Sequence, residues 1–318
     1  MLKRVIVTGP TGAIGMALIN NCIKADVEVV AIVNPDSLRK KQLPKNSLLH
    51  VLECDIEDYD SFNLEHQLDL IGITTPFDVW FHLAWKGASG KGRNASDMQL
   101  KNVAGLLAAL ELAKRIGCHT FVGVGSQAEY GIADRPLGEN APTKPVTAYG
   151  VAKLCAGQMG RLKAEQLGIK FLWTRVFSVY GPYDGENTMI VSGIRDLIDG
   201  KSPKFTKGEQ QWDYLYSKDA ANILIQLAEH GKHGRVYPVG SGHCKPLYQY
   251  IKCMEKAVLE STGRIVHANI GAVPYGEHQI MYLCADITAL QEDIGAMELT
   301  SFEDGIADTV KWCEKNSY

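Results

Sequence analysis

Val5-Ile6-Val7-Thr8-Gly9-Pro10-Thr11-Gly12-Ala13-Ile14-Gly15 passes from a short β-branched run, through glycines at every third position, into a segment with helical apolar periodicity. That order reads as strand, glycine turn and helix. Glycine permits the tight turn and lets the backbone come close to a ligand, while the free N–H groups and positive dipole end of the helix suit a pyrophosphate. A glycine triplet alone would be a weak signal. Set between a strand and a helix, it assigns Gly9, Thr11, Gly12, Ala13, Ile14 and Gly15 to a dinucleotide site.

Outward from this loop, β-branched runs alternate with helical patterns. Val5 to Val7, Val27 to Val33, Leu48 to Leu52, Val79 to Leu83, Phe121 to Val124 and Phe171 to Arg175 read as buried strands, and Ala13 to Ala25, Ala95 to Ile116 and Ala148 to Leu167 as helices. Such alternation predicts an α/β fold with a doubly wound parallel sheet and ligands at the carboxyl ends of its strands. After Gly181 the alternation breaks into Gly/Pro-containing loops and helices such as Asp219 to Glu229 and Leu247 to Leu259. The expected organisation is a dinucleotide-binding domain over 1–180 and a smaller mixed α/β substrate lobe over 181–318, with some of its segments returning to the first domain.

Composition limits the partners. The net charge of -3 argues against a nucleic-acid backbone, which needs a concentrated basic surface. The apolar run near Met1 is too short for a signal peptide, and no stretch approaches a membrane span. Eight cysteines lie scattered without a CxxC pair or a Cys/His cluster, so free thiols in a reducing cytoplasm are expected, and no metal.

The chemistry is carried by Tyr149-Gly-Val-Ala-Lys153, where a phenol and an ammonium share one helical face. Tyr214 with Lys218 and Tyr248 with Lys252 have the same offset, so context must choose. Only Tyr149 opens a helix that follows a strand ending near a serine, Ser126. A free phenol has a pKa near about 10, and a proton-transferring group works best when tuned toward the operating pH. Lys153 is expected to favour phenolate, and Ser126 to hold the reacting oxygen.

These features together resemble the extended short-chain dehydrogenases/reductases, the NAD-dependent epimerase/dehydratase family of the sugar-nucleotide branch, over nearly the whole chain. The loop resembles their TGxxGxxG motif. Asp55-Ile56 is similar to the adenine-contacting pair, His82-Leu83-Ala84 to the HLA segment, Asn102 to the helix asparagine, and Arg175 to Pro182 to the RxxNxYGP segment. The resemblance implies a Rossmann-type fold and catalysis by Ser126, Tyr149 and Lys153, with Tyr149 and Lys153 also touching the cofactor. It places Asp55, Ile56, Leu83, Ala84, Trp85, Asn102, Val124 and Phe177 beside the cofactor, and Lys86, Ser126, Gln127, Ser178, Met189 and Trp212 beside substrate. His82 itself, in an apolar setting, reads as a packed core residue. A homodimer through the helices Ala95 to Ile116 and Ala148 to Leu167 is also implied.

The cofactor could be NAD or NADP. Asn34 stands where an acidic residue would select NAD, and Ser37 and Arg39 could hold a 2'-phosphate that Asp36 would repel, which leans slightly to NADP.

Residues after Ser126 narrow the reaction. The family's 4,6-dehydratases carry Asp and Glu there, whereas this chain has Gln127 and Ala128, which cannot shuttle a proton. The same Ala128 offers neither the glutamate of related decarboxylases nor the cysteine of combined 3,5-epimerase-reductases, whose histidine after YGP is here Tyr183. Glu129 falls one position late and reads as structural. Trp212 stands in place of a frequent arginine and Ser178 in place of an asparagine; Trp212 could cover a base or sugar, or be core. The resemblance therefore implies action at C4 of a nucleoside-diphosphate hexose, leaning to reduction of a 4-keto sugar on the segments Gly208 to Asp219 and Tyr237 to Gly242. A 4-epimerase with retained NAD, reduction of a non-nucleotide ketone or aldehyde, and a non-catalytic dinucleotide-binding regulator or scaffold remain alternatives.

Overall fold

A computed structural model describes residues 2–276 and 279–316. The quoted stretch forms strand β1 (Arg4–Thr8) and helix α1 (Ala13–Lys24). The first half continues with β2 (Glu28–Val33), β3 (Leu49–Glu53), α2 (Leu64–Leu70), β4 (Val79–His82), α3 (Ser96–Arg115), β5 (Thr120–Ser126), α4 (Ala148–Leu167) and β6 (Lys170–Val176). The second half holds β7 (Ser178–Tyr180), α5 (Met189–Ile198), β8 (Lys204–Phe205), β9 (Gln211–Tyr216), α6 (Ser217–His230), β10 (Val236–Val239), β11 (Cys244–Pro246), α7 (Leu247–Thr262), β12 (Asn269–Ile270), β13 (Tyr282–Leu283), α8 (Thr288–Ile294) and α9 (Phe302–Lys315).

The expected doubly wound sheet is present. Seven parallel strands stand in the order β10-β6-β5-β4-β1-β2-β3. The chain winds from β1 toward β3 on one side and then from β4 toward β6 on the other. The reversal leaves a crevice at the carboxyl ends of β1 and β4, where the glycine loop emerges. Alternating side chains feed opposite faces of the sheet. Ile6, Trp80 and Phe121 enter one core under α3 and α4, while Val5, Val7, Val79 and Phe81 enter another under α1 and α6. Helices on both faces explain why these strands read as continuous apolar runs.

Two elements of this domain lacked a clear sequence signal. Helix α2 is only seven residues long, too short for a helical period to stand out. Strand β10 comes from the second half and pairs with β6, Val236 opposite Trp173. Its four residues Val-Tyr-Pro-Val carry a proline, tolerated because β10 is the edge of the sheet.

Beyond β6 a smaller sheet forms around β9, which pairs with β7, β11 and β13, while β8 pairs with β12. Helices α5, α7 and α9 share an apolar cluster built on Ile190, Ile194, Met254 and Val310. Buried Asp213 ties this lobe's turns together. Its carboxylate accepts from the Ser241, Gly242 and Ala285 N–H groups and from the Ser241 hydroxyl.

Candidate active site

The glycine loop is held by close backbone packing. Gly9 has φ +69°, and a Cβ there would lie 2.7 Å from the Ala84 nitrogen; a Cβ on Gly15 would lie 2.5 Å from the Gly9 oxygen. Neither position accepts a side chain without moving main chain. Gly12 is the N-cap of α1, and a Cβ there would meet nothing within 4 Å, so the loop opens to the cleft at this point. The first helical bond runs from Met16 N–H to the Gly12 carbonyl, leaving the N–H groups of Ala13, Ile14 and Gly15 ahead of it. Beside them lies a cavity of about 170 Å³ whose wall includes Gly9, Thr11, Asn34, Ser37, Ile56, Ala84, Trp85 and Lys86.

Several expected site residues act on one another across this cleft. The Asn34 amide donates to Asp55 Oδ2 at 3.0 Å, and its oxygen accepts the Asp36 N–H at 2.8 Å. Ser37 Oγ lies 3.4 Å from Thr11 Oγ1. Lys86, expected beside substrate, stands instead in this cleft with its ammonium 2.7 Å from Asp55 and 2.8 Å from Glu57, because two carboxylates converge there. Hydrogen bonds from Lys101 and Lys86 pull the Glu57 carboxyl down to about 2. Arg39, expected at the cofactor, donates to the carbonyls of Tyr183 and Asp184 and so bridges to the second half of the chain. Asn102, also expected at the cofactor, spends its amide on the Lys86 N–H, the Lys86 carbonyl and the Met98 carbonyl. It fixes the Ala84 to Lys86 segment from behind and does not line the cavity.

At the carboxyl end of β5 the three expected catalytic residues come together. Ser126 ends the strand, and its hydroxyl accepts the Ala128 N–H. Thr147 caps α4 through the Gly150 N–H, which places Tyr149 in the first turn. Tyr149 and Lys153 are both buried, and the Ser126 hydroxyl lies near enough to the phenol to favour its ionised form. The Lys153 ammonium donates to the Val124 carbonyl at 2.6 Å and sits 3.8 Å from the centre of the Trp85 ring, but 5.9 Å from that of Tyr149.

Burial dominates the electrostatics here. Burial raises the Tyr149 phenol, against the lowering effect of the nearby Ser126 hydroxyl and of the Arg93 charge, and Glu129 raises it further. Burial also pushes Lys153 down to about 7, so its charge is itself conditional near neutrality. Arg93 was not singled out from the sequence. Its guanidinium carbon lies 4.5 Å from the Tyr149 ring centre. The available signal was a basic residue in the glycine-rich segment Gly87 to Asn94, directly after the carboxyl end of β4.

Glu129 is built into the framework. Its carboxylate accepts the Ser126 N–H at 2.8 Å, the Trp173 indole N–H at 3.1 Å and the Arg175 guanidinium at 2.8 Å, all out of solvent. His82 is likewise buried, bonded to Thr8 and stacked near Phe121, with burial holding it neutral at a pKa of about 3. Gln127 faces a separate cavity of about 500 Å³ together with Arg93, Ala128, Ile132 and Ile280. Ser178 and Trp212 meet directly, the indole N–H donating to the Ser178 hydroxyl at 2.8 Å. Trp212 packs with Tyr130, Phe177 and Leu283, which binds the small sheet to the main one. Met189 opens α5 with its sulfur 4.0 Å from the Tyr214 hydroxyl. Leu83 backs the glycine loop, its carbonyl under Gly9. Tyr59, unmarked in the sequence, also walls the dinucleotide cleft.

Known proteins resemble this chain in sequence and fold. The profile described as the NAD dependent epimerase/dehydratase family matches residues 5–240. The chain is 24% identical over 345 residues to a dTDP-glucose 4,6-dehydratase of Neisseria meningitidis serogroup B, covering 98% of this chain and 93% of that protein. Among solved structures it is similar to a UDP-N-acetylglucosamine 4-epimerase from Methanobrevibacter ruminantium M1 in complex with UDP-N-acetylmuramic acid. That likeness has a TM-score of 0.85, 26% identity and coverage of 98% of each chain. It is similar in fold to a UDP-glucuronic acid 4-epimerase from Bacillus cereus in complex with NAD, with a TM-score of 0.81, 22% identity and coverage of 98% of this chain and 99% of that one. On the match over residues 5–240 and the likeness to these proteins along nearly its whole length, the chain belongs to the NAD-dependent epimerase/dehydratase family, the sugar-nucleotide branch of the extended short-chain dehydrogenases/reductases, a family of NAD-dependent enzymes.

Proposed function

We propose that this protein is an NAD-dependent enzyme that acts at C4 of a nucleoside-diphosphate hexose, as a 4-epimerase that retains its cofactor. One observation carries the assignment to C4 hydride chemistry, and the likeness to solved 4-epimerases favours epimerisation within it. Among the described residues, those that follow Ser126 on the reacting edge of β5 offer no free acid or base, since Gln127 and Ala128 cannot shuttle a proton and Glu129 is locked onto Arg175 and Trp173. That supports one hydride with one proton and disfavours 4,6-dehydration, which eliminates water. The nicotinamide, when bound, accepts and returns the hydride. Tyr149 takes the proton of the C4 hydroxyl and gives it back, Ser126 holds the oxygen, and Lys153 secures the cofactor side.

NAD is favoured over NADP. Of the two groups available for a 2'-phosphate, Arg39 is committed to the Tyr183 and Asp184 carbonyls, which leaves Ser37 alone. The solved relative from Bacillus cereus carries NAD, which points the same way. Residues 1–180 carry the dinucleotide site and 181–318 mainly the sugar-nucleotide lobe. The scattered cysteines support a reducing compartment, the cytoplasm. Val151, Met159 and Leu162 form an exposed apolar stripe on α4, with Leu100 exposed on α3. That stripe supports a homodimer through these two helices.

Reduction of a 4-keto sugar nucleotide is the second reading, carried by the likeness of Gly208 to Asp219 and Tyr237 to Gly242 to 4-ketoreductases. The most characteristic residues of those segments have packing roles here: Trp212 bonds Ser178, and Tyr237 bonds Asp293. The experiment is to incubate the purified protein with UDP-, dTDP-, CDP- and GDP-hexoses and follow C4 configuration by NMR and nicotinamide absorbance together. The expected result is an epimer mixture with no net change in bound NAD, lost by roughly 100-fold or more in Tyr149→Phe. Stoichiometric oxidation of added NAD(P)H by a 4-keto sugar would replace it with the reductase. Failure to bind any nucleoside diphosphate would remove the sugar-nucleotide reading altogether.

A further inference from the structure

The cavity of about 500 Å³ beside the reaction centre has a lopsided wall. Ala128, Ile132, Val146 and Ile280 make much of it apolar, and among the described residues that line it the one charged side chain is Arg93. Other oxygens of the wall are engaged: the Thr147 hydroxyl accepts the Gly150 N–H, and the Asn94 side-chain carbonyl accepts the Ala148 N–H. Two polar side chains are left over. Arg93 donates to the Ala88 carbonyl at 2.9 Å and lies over the Tyr149 ring, with no carboxylate paired to it among the described residues. Gln127 keeps a buried side-chain oxygen without a hydrogen-bond partner.

We propose that Arg93 selects the sugar: the substrate carries a carboxylate next to its reacting carbon, as the C6 acid of a hexuronic acid does, and the Arg93 guanidinium holds it. The proposal rests on the reading of Tyr149 as acting at C4 of a sugar nucleotide, and it names the class of sugar. A guanidinium facing an apolar wall with most of its N–H donors unspent gains most from an anion, and its planar fork matches the two oxygens of a carboxylate. A neutral hexose offers only hydroxyls, which leave that charge uncompensated. The shape of the ligand chooses between its anions. With C4 at Tyr149, the nearest substituents are those on C3 and C5, and C6 hangs from C5, whereas the diphosphate leaves from C1 on the opposite side of the ring. An anion that meets the cation lying over Tyr149 is therefore on the sugar and not in the diphosphate. Gln127, its amide oxygen unbonded, can turn to meet a ring hydroxyl beside the carboxylate.

The test measures binding, not turnover. Two pairs of probes, UDP-glucuronate with UDP-glucose and GDP-mannuronate with GDP-mannose, are titrated calorimetrically into the NAD-saturated protein, with UDP and GDP alongside. In at least one pair the acid is expected to bind about tenfold or more tighter than its neutral partner. Arg93→Gln is expected to abolish that preference while leaving the affinity for the bare nucleotide unchanged, and Arg93→Lys to keep part of it, as a charge without the planar fork. Arg93→Met takes the place of Arg93→Gln should the latter fail to fold by circular dichroism. Equal binding of acid and neutral sugar by the wild type overturns the proposal with no variant needed, and so does an acid preference that survives loss of the guanidinium. A parallel fall for sugars and bare nucleotides in Arg93→Gln assigns the arginine to the diphosphate and overturns it too. These failures leave C4 chemistry standing, whereas binding of no nucleotide or sugar nucleotide at all removes the proposal together with the sugar-nucleotide reading.

Discussion

At the scale of single residues, the site is governed by what burial does to charge. Lys153 is buried, and its pKa of about 7 lies below the ordinary lysine value of 10.5. Between those values the unfolded chain holds a proton that the folded chain does not, so this residue makes stability rise with pH across that window. Replacing it with methionine removes the dependence. The melting temperature of the wild type, taken relative to Lys153→Met, is therefore expected to climb from about pH 7 to about pH 8.5, below the range where thiols complicate the comparison. A difference that stays flat with pH would show that the ammonium is not desolvated as the geometry requires. Glu129 presents the opposite case. Its buried carboxylate is fully supplied with donors from Ser126, Trp173 and Arg175, which is how a glutamate beside the reacting serine can serve the fold instead of the reaction.

Among elements, the turn between β1 and α1 decides whether a cofactor can bind. Gly15 touches the Gly9 carbonyl and Pro10 so closely that a methyl group there has nowhere to go. Gly15→Ala should push the turn away from the helix and weaken NAD binding by about tenfold or more, measured by quenching of tryptophan fluorescence, with modest loss of thermal stability. Gly12→Ala is the informative companion, since its Cβ direction is open within the protein and only a ligand would meet it. Comparable cofactor affinity in Gly15→Ala and the wild type would contradict this account of the loop. The adjoining segment Ala84 to Gly87 is held by Gln99 and Asn102 of α3 through its backbone carbonyls and N–H groups. A helix thus braces the far wall of the cleft from behind.

For the whole molecule, the two halves interlock. Strand β10 joins the sheet of the first half, α6 packs on α1, and Arg39 reaches from the dinucleotide side to the backbone at Tyr183 and Asp184. These contacts join the walls of the dinucleotide cleft to the second half of the chain. On the opposite side, the apolar stripe on α4 calls for a covering surface, and the proposed homodimer supplies it. Leu162→Glu, at an exposed position, is expected to leave the monomer's fold intact and to shift the mass measured by light scattering from dimer to monomer. A wild-type protein that runs as a monomer at micromolar concentration would end that proposal.

What the sequence by itself determined was local. The glycines of the first turn, the β-branched runs and the helical periods of α3 and α4 each rest on steric demands within a few residues, and so the sheet, the turn and the serine-tyrosine-lysine set were legible. Helix α2 and the edge strand β10 were not, because seven and four residues carry too little period to read. The tertiary structure alone decided where charges end up. Lys86 joined Asp55 and Glu57, Arg39 went to two carbonyls, Glu129 to Arg175, and Arg93 to the face of Tyr149. A side chain's charge is set by its neighbours and its distance from water, and both come from segments far apart in the chain. The offset of Tyr149 and Lys153 placed them on one helical face, but only the packed molecule could turn the ammonium toward Val124 and lay Arg93 over the phenol ring.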